Sequence, residues 1–460
     1  MTPRQTHYLR RPIRQYLDGV REKKSILALL FCFLMLLAYM GDSIAQHYGI
    51  SPVEVEGNYY NRLINILVVI LAVPSLLHIV IYYTRAFGWY DLILLVFLVL
   101  YIPGYRRQEE VSLFSFTNLL RLITWFYIVP YFLHHAKTLI DHTYLVVILI
   151  GLFEIWSILN VGSFARGGER IALSGTATAT ARALLVPFVI CYAVYHNKTL
   201  FGRTLRLLAF GEGVILAFLI LLTGSRQAVV GLLIIIPGSW LLTSRNYQRI
   251  SIQSLRRWYL YIFGALLFAL LVWMGLGMPD VLSGRVLDLS EYSLEANQGR
   301  TLQWVYYGKY ILENWSTLIF NGFDSALVHR GNMRIDNIML TAPHNIVLAV
   351  VVQSGLLATL FYLLWHIILV RTMLRIHQLL NSPALSALAI ATAFAAIFVG
   401  MVDNYFLEVS SPLSYLLYTI VGFYCNLDRV RRRERLTLVY RETHVLSESL
   451  LSKNLAPKKS

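Results

Sequence analysis

Three residues with the chemistry to act on a diphosphate ester stand at the edges of apolar segments. Arg226 follows a Gly-Ser turn, Arg300 opens an amphipathic stretch, and His344 follows Pro343 at the start of another apolar run. Arginine binds phosphate oxygens in a bidentate manner and keeps its charge. Histidine accepts a proton near neutral pH. Together these side chains would suit a reaction in which a diphosphate leaves and a hydroxyl is deprotonated.

Each of the three residues also has a plain structural explanation. Arg226 could extend its guanidinium to a membrane surface, Arg300 could be a loop or helix N-terminal residue, and His344 could be an interfacial polar residue. Against this, positive charge is disfavoured on the outer side of a membrane, where Arg226 is predicted to lie. The sequence has no carboxylate pair with metal-site spacing, so we expect no metal and no cofactor.

The composition predicts that membrane helices position these residues. The chain has 460 residues, of which 57% are hydrophobic and 14% charged, whereas about a quarter are charged in soluble proteins. Its apolar runs are continuous and do not alternate, so they predict helices and not barrel strands. We predict an all-α polytopic membrane protein of about 12 transmembrane helices. The predicted spans are 26–42, 62–83, 89–104, 116–134, 143–160, 183–197, 206–223, 227–243, 259–276, 345–370, 385–402 and 411–425.

The distribution of basic residues predicts the orientation. The net charge is +15, and lysines and arginines cluster at both termini and in the loops after even-numbered spans. Clusters of this kind mark the cytoplasmic side of a membrane. Both termini are therefore expected on the cytoplasmic side, and the expected location is a bacterial inner membrane. The clusters favour contact with membrane lipids, and we expect no nucleic acid partner.

The chain divides into five parts on this interpretation. They are a basic cytoplasmic N-terminus (1–25), spans one to nine (26–276), a long periplasmic loop (277–343), spans ten to twelve (344–425) and a basic cytoplasmic tail (426–460). The long loop carries seven acids against five bases, which fits an outer location. Within it, the spacing of Trp304, Tyr307, Ile311 and Trp315 in 300–316 predicts an amphipathic helix at the interface or packed on the bundle.

Further polar residues fall on the predicted outer side or inside the spans. The additional substrate-binding candidates are Arg166, Arg170, Arg182, Asn345 and Asp403. The ionisable residues within or near spans are Arg121, Glu154, Glu212 and His366. Such intramembrane groups are functional candidates, although a structural ion pair between Arg121 and Glu154 would explain two of them equally well.

These motifs, taken in order, resemble the O-antigen ligase and polymerase superfamily over roughly 165–405. The ligase pattern is His, then Asn, Ser or Gln, nine residues, Gly, two residues, and Gly, Thr or Tyr. The chain has His344, Asn345, nine residues and Gly355, and departs at Ala358. The segment 165–183 resembles the family's loop before a span but lacks its Asn-Pro.

The resemblance implies a metal-independent inverting glycosyltransferase of the GT-C kind. Its donor would be an undecaprenyl-pyrophosphate-linked glycan and its acceptor lipid A-core or another glycan. Arg226 and Arg300 would hold the pyrophosphate, and His344 would activate or orient the acceptor hydroxyl. The sequence favours the ligase slightly and keeps the polymerase as the alternative.

A secondary transporter is the alternative from another class. Transporters place binding residues on broken helices near the membrane midplane and usually contain internal repeats. The sequence suggests neither feature, so transport is the weaker hypothesis.

Overall fold

The computed structural model describes the chain in separate stretches. The described residues are 87–106, 121–130, 148–149, 151–153, 155–156, 163–164, 170–172, 177–196, 201–243, 298–322, 334–335, 338–339, 345–379, 383–401 and 413–433. The predicted spans 26–42, 62–83 and 259–276 lie outside them.

The helices follow the apolar runs of the sequence. They are α1 (Trp89–Arg106), α2 (121–130, with a π-helical turn at Thr124–Ile128), α3 (Ala177–His196), α4 (Arg203–Leu222), α5 (Arg226–Thr243), α6 (Gln298–Glu313), α7 (Ile346–His377), α8 (Pro383–Met401) and α9 (413–433). Short helical pieces also occur between 148 and 156. α6 coincides with the predicted amphipathic stretch, and the others lie on predicted spans. α7 and α9 continue beyond the predicted ends at 370 and 425.

Strands are confined to two very short antiparallel pairs among the described residues. β1 (Ser163–Phe164) pairs with β2 (Arg170–Ala172), and β3 (Arg334–Ile335) pairs with β4 (Ile338–Met339). Apart from these pairs, the described elements are helical, as predicted.

An aromatic core joins α2, α7 and α9. Trp125 stacks on Tyr415 with 4.6 Å between ring centroids, and Phe126 lies 5.6 Å from Trp365. Trp125, Phe126 and Trp365 are almost fully buried. A Cβ at Gly422 would collide with the Phe126 carbonyl, so the backbones of α2 and α9 approach closely only because this residue is glycine.

One end of the helix bundle is tied together by a buried ion pair. Asp91, near the start of α1, pairs with Arg429 of α9. The Tyr127 hydroxyl of α2 donates to Asp91 Oδ1 at 2.9 Å, and the Gly88 amide donates to Oδ2 at 2.8 Å. We call this the Asp91 end of the bundle.

Further contacts bring α7, α8 and α5 to the Asp91 end. Arg375 of α7 donates to Asp428 of α9 at 2.7 Å. The His377 ring, at the end of α7, lies 2.8 Å from Ser386 Oγ and 3.3 Å from the Leu242 carbonyl. The first helical turn of α8 and the last turn of α5 therefore meet at the Asp91 end.

α3 ends and α4 begins at the same end of the bundle. The Ser239 hydroxyl of α5 donates to Tyr192 of α3 at 3.4 Å, and Arg206 of α4 donates to the Tyr195 carbonyl at 3.0 Å. The opposite end, which we call the Arg226 end, therefore carries the starts of α3, α5, α7 and α9 and the ends of α1, α4 and α8.

α7 is interrupted at Gly355. This residue has φ +86° and ψ −178°, a conformation essentially limited to glycine. The amides that follow it, at Leu356 and Leu357, donate to the Leu318 and Ile319 carbonyls at 2.8 and 3.0 Å. The expectation of no broken helix is wrong at this point, because the loop after α6 supplies the acceptors that a continuous helix would supply itself.

The outer faces of several helices are apolar. In the part of the chain that the structure describes, α4 and α7 are long and apolar enough to cross a bilayer, a test that buried helices of soluble proteins also pass. In α4, one exposed face carries large apolar residues at helical spacing. They are Leu207, Leu208, Phe210, Val214 and Ile215. An exposed apolar helix face suits contact with lipid. These helices, by their length and composition, therefore support association with a membrane.

Candidate functional site

The predicted Gly-Ser turn before Arg226 is present between α4 and α5. The Thr223 hydroxyl donates to the Ile220 carbonyl at 2.6 Å, and Gly224 has φ +61°. The Ser225 carbonyl then accepts the amides of Ala228 and Val229 at 3.1 Å. This turn makes Arg226 the first residue of α5 at the Arg226 end, where its side chain is half-buried.

The turn also places the Ser225 hydroxyl inside the protein. It is buried and has no hydrogen-bond partner among the residues that the structure describes. Buried polar groups are nearly always hydrogen-bonded, so an unsatisfied hydroxyl calls for an explanation. A polar ligand beside Arg226 would supply one.

Arg182 lies at nearly the same height as Arg226. α3 and α5 run in parallel, because two pairs of residues are in contact in the same order along both helices. Leu185 packs against Gly231, and further along Tyr192 contacts Ser239. Continuing this sequence offset along both helices places Arg182 and Arg226 less than about one helical turn apart in height along the bundle. Arg182 is 3% exposed, so its guanidinium lies within the protein and not on its surface.

Arg300 lies in the first turn of α6, and the structure describes only its backbone. α6 packs on the first part of α7 through Tyr307, which is fully buried with Leu318, Val351 and Val352. Burial raises the pKa of the Tyr307 phenol, so this residue stays neutral and serves packing.

The predicted apolar face of α6 is correct for its first three members. Trp304 and Ile311 are half-buried beside Tyr307. The assignment of Trp315 to this face is wrong, because α6 ends at Glu313 and Trp315 lies in the following turn, 58% exposed. The turn must leave the helix direction so that the Leu318 and Ile319 carbonyls can reach α7.

Asn345 is the N-cap of α7. Its Oδ1 accepts the amides of Val347 and Leu348 at 2.9 and 3.1 Å, a role that asparagine fills well. This contact gives Asn345 a structural function whether or not it also binds substrate. His344 precedes it in the sequence and lies outside the described residues.

The start of α7 does not lie at the height of Arg226. α5 and α7 end together, since His377 contacts the Leu242 carbonyl. At 1.5 Å per residue, Arg226 is about 24 Å from Leu242, whereas Gly355, where the regular part of α7 begins, is about 33 Å from His377. Gly355 therefore already lies beyond the height of Arg226, and the break there sets the direction of residues 346–354 and so the position of Asn345.

Three of the other predicted positions have no described side chain. Arg166 and Asp403 lie outside the described residues, and Arg170 lies in β2 with only its backbone described. Among the described residues, no group of three His, Cys, Asp or Glu side chains is placed to hold a metal ion.

The intramembrane candidates occupy different environments. Arg121 and Glu212 are buried, and the His366 Nδ1 lies 2.9 Å from the Tyr362 carbonyl one turn earlier in α7. Glu212 Oε1 has no hydrogen-bond partner among the described residues. Glu154 lies outside them, so its predicted pairing with Arg121 stays a prediction.

Sequence reasoning missed a polar contact between α1 and α7. The Tyr101 hydroxyl donates to Gln353 Oε1 at 2.6 Å, and the Ser354 hydroxyl donates to the Tyr101 carbonyl at 3.2 Å. The available signal was the polar pair Gln353-Ser354 directly before Gly355 in an otherwise apolar run.

No protein-family model matches this chain, and no curated protein matches it. The functional conclusion therefore depends on the residues and their arrangement.

Proposed function

We propose that this protein is a multi-pass membrane glycosyltransferase of the O-antigen ligase type. It would move a glycan from undecaprenyl pyrophosphate to an acceptor sugar, such as lipid A-core, at the periplasmic face. The observation that carries the proposal is the similar height of Arg182 and Arg226 along the bundle, together with the Ser225 hydroxyl next to Arg226 in the chain, which has no partner among the described residues. Two guanidinium groups at one level suit the two phosphates of the carrier.

The distribution of charge supports the orientation that this function needs. Arginines gather at the Asp91 end of the described bundle. They are Arg203, Arg206, Arg371, Arg375, Arg429, Arg431, Arg432 and Arg433. Basic residues favour the cytoplasmic side, so the Arg226 end would face the periplasm, where carrier-linked glycans are consumed in the proposed reaction.

The proposed reaction balances without a metal or cofactor. The acceptor hydroxyl attacks the anomeric carbon, the bond from that carbon to the pyrophosphate oxygen breaks, and undecaprenyl pyrophosphate leaves. His344 takes the hydroxyl proton, while Arg226 and Arg182, joined by Arg300, stabilise the charge that develops on the leaving group.

The break in α7 is an observation that favours a transporter. Discontinuous helices commonly form transporter binding sites. Here the amides after the break at Gly355 already donate to the Leu318 and Ile319 carbonyls. The amides at the break are thus already hydrogen-bonded within the protein and are not free to bind a substrate. Glycan transfer stays the better-supported function.

The decisive experiment is an in vitro transfer assay with purified protein, carrier-linked glycan and lipid A-core. Arg226→Ala and Arg182→Ala should each reduce the rate on the order of 10²–10³-fold, as the loss of a contact to a developing anion does. His344→Ala should abolish transfer. Arg203→Ala, an exposed arginine at the Asp91 end, is the matched control and should transfer normally.

Wild-type rates from Arg226→Ala and Arg182→Ala would refute the site. The glycan profile of a deletion strain separates the two transferases: unligated carrier-linked polymer indicates the ligase, and a single repeat unit on the core indicates the polymerase. Uptake of a glycan into vesicles without transfer would indicate the transporter.

The proposal also requires residues 346–354 to bring His344 towards the diphosphate. Gln227→Cys, which leaves Arg226 in place, combined with Asn345→Cys tests this directly with a short bifunctional maleimide. Cross-linking that increases when the carrier-linked donor is added would support a shared site. If the two cysteines never cross-link, with or without the donor, His344 does not share a site with Arg226 and does not act on the same diphosphate.

A further inference from the structure

An open groove on the outside of the bundle lies between α7 and α8, away from the proposed active site. It has a volume of about 700 Å³. Its walls are apolar over most of its length, with Leu363, Ile367 and Val370 from α7 facing Phe394 and Ile397 from α8. Ile367 is 62% exposed, so the groove opens to the surroundings of the bundle.

One end of the groove is basic. Arg371, Arg375 and Gln378 follow the apolar wall along α7 towards the Asp91 end, and His366 and Leu374 also line the groove. Residues 371, 375 and 378 are three or four positions apart, so they lie on the same face of the helix. The apolar and basic parts of the groove therefore form one continuous surface along about 22 Å of α7.

The basic end carries more positive than negative charge. Asp428 accepts from Arg375 at 2.7 Å and from Arg432 at 2.8 Å. Arg371 is exposed and makes no ion pair with any residue that the structure describes. Arg375 and Arg432 thus share the Asp428 carboxylate, and Arg371 adds a further positive charge to the groove lining, which leaves the groove end able to bind an anion.

We propose that this groove binds an anionic phospholipid of the cytoplasmic leaflet. The acyl chains would lie along the apolar wall and the headgroup phosphate would meet Arg371. Apolar walls with a basic end match a molecule that has one anionic head and long apolar tails, and basic pockets between membrane helices on the cytoplasmic side bind such lipids. The inference needs the membrane orientation proposed above but not the transfer reaction.

The test is lipid binding to the purified protein, measured by native mass spectrometry during titration with phosphatidylglycerol or phosphatidylcholine. Wild-type protein should prefer phosphatidylglycerol. Arg371→Ala should weaken phosphatidylglycerol binding about five-fold without changing phosphatidylcholine binding. Arg371→Lys should keep most of the preference, and Arg203→Ala, the matched exposed arginine, should keep all of it.

Three further measurements identify the ligand and separate this proposal from the enzymatic one. Inorganic phosphate should not displace phosphatidylglycerol, whereas displacement would indicate a simple phosphate site. Ile367→Asn should weaken binding through the apolar wall. Equal binding of the two lipids to wild-type protein, or unchanged preference in Arg371→Ala, would overturn the inference. Arg371→Ala should retain glycan transfer, so loss of lipid preference and loss of transfer are distinguishable.

Discussion

At the scale of single residues, Asp91 connects three helices through one carboxylate. It accepts from Arg429, Tyr127 and the Gly88 amide. Arg429 also lies over the Tyr90 and Tyr127 rings, 5.0 and 4.9 Å from their centroids. Because both charged side chains are buried, neither can turn to solvent when the other is removed.

Asp91→Ala should therefore destabilise the protein strongly. Removal of one partner from a buried ion pair costs about 3–5 kcal/mol, because the other charge stays buried without compensation. We expect a lower thermal unfolding temperature in detergent and reduced accumulation in the membrane. Arg203→Ala serves as the control and should unfold like the wild type.

The paired variant Asp91→Leu with Arg429→Leu distinguishes charge from packing. It removes both charges and should recover part of the lost stability. Wild-type stability in Asp91→Ala alone would show that the ion pair does not hold the three helices together.

At the scale of the elements, α7 depends on the break at Gly355. A Cβ at this position would lie 2.5 Å from the Leu318 carbonyl oxygen and 2.8 Å from that of Asn321. The positive φ is also strained for any residue with a side chain. The same glycine thus permits both the helix break and the close approach of the loop after α6.

Gly355→Ala should displace the 318–321 loop from α7. Strain of this kind costs on the order of 1–3 kcal/mol, and hydrogen exchange at Leu356 and Leu357 should become faster as their acceptors move away. Gly308→Ala in α6 is the matched control, because no atom lies within 4 Å of the added Cβ. It should be neutral or slightly stabilising. Unchanged exchange in Gly355→Ala would contradict the role assigned to the break.

At the scale of the whole molecule, the two ends of the bundle should face opposite sides of the membrane. Leu312 of α6 is 77% exposed and belongs with the Arg226 end, whereas Arg203 is exposed at the Asp91 end. Native Cys191 and Cys425 are buried, so a background with Cys32→Ala suits thiol labelling.

In that background, a membrane-impermeant maleimide should label Leu312→Cys in cells whose outer membrane alone is permeable. Arg203→Cys should react only after the inner membrane is opened, because basic ends stay in the cytoplasm. The reverse labelling pattern would show that the orientation is inverted and that the proposed active site does not face the periplasm.

Much of the helical architecture was predictable from local sequence. Continuous apolar runs predicted α3, α4, α5 and α8, since a chain in a low-dielectric setting must satisfy its backbone hydrogen bonds internally. The Gly-Ser turn before Arg226 was predictable because glycine tolerates the positive φ that a tight reversal needs. The spacing of Trp304, Tyr307 and Ile311 likewise predicted α6.

The contacts between helices were decided by tertiary structure alone. Asp91 and Arg429 are 338 residues apart, and no local pattern indicates which distant charge a buried carboxylate will meet. The break in α7 also depends on a remote segment, because the Leu318 and Ile319 carbonyls replace the intrahelical acceptors. The sequence by itself thus determined where helices form and which end is basic. Only the folded structure brought Arg182 level with Arg226, because that height is set by how α3 packs along α5.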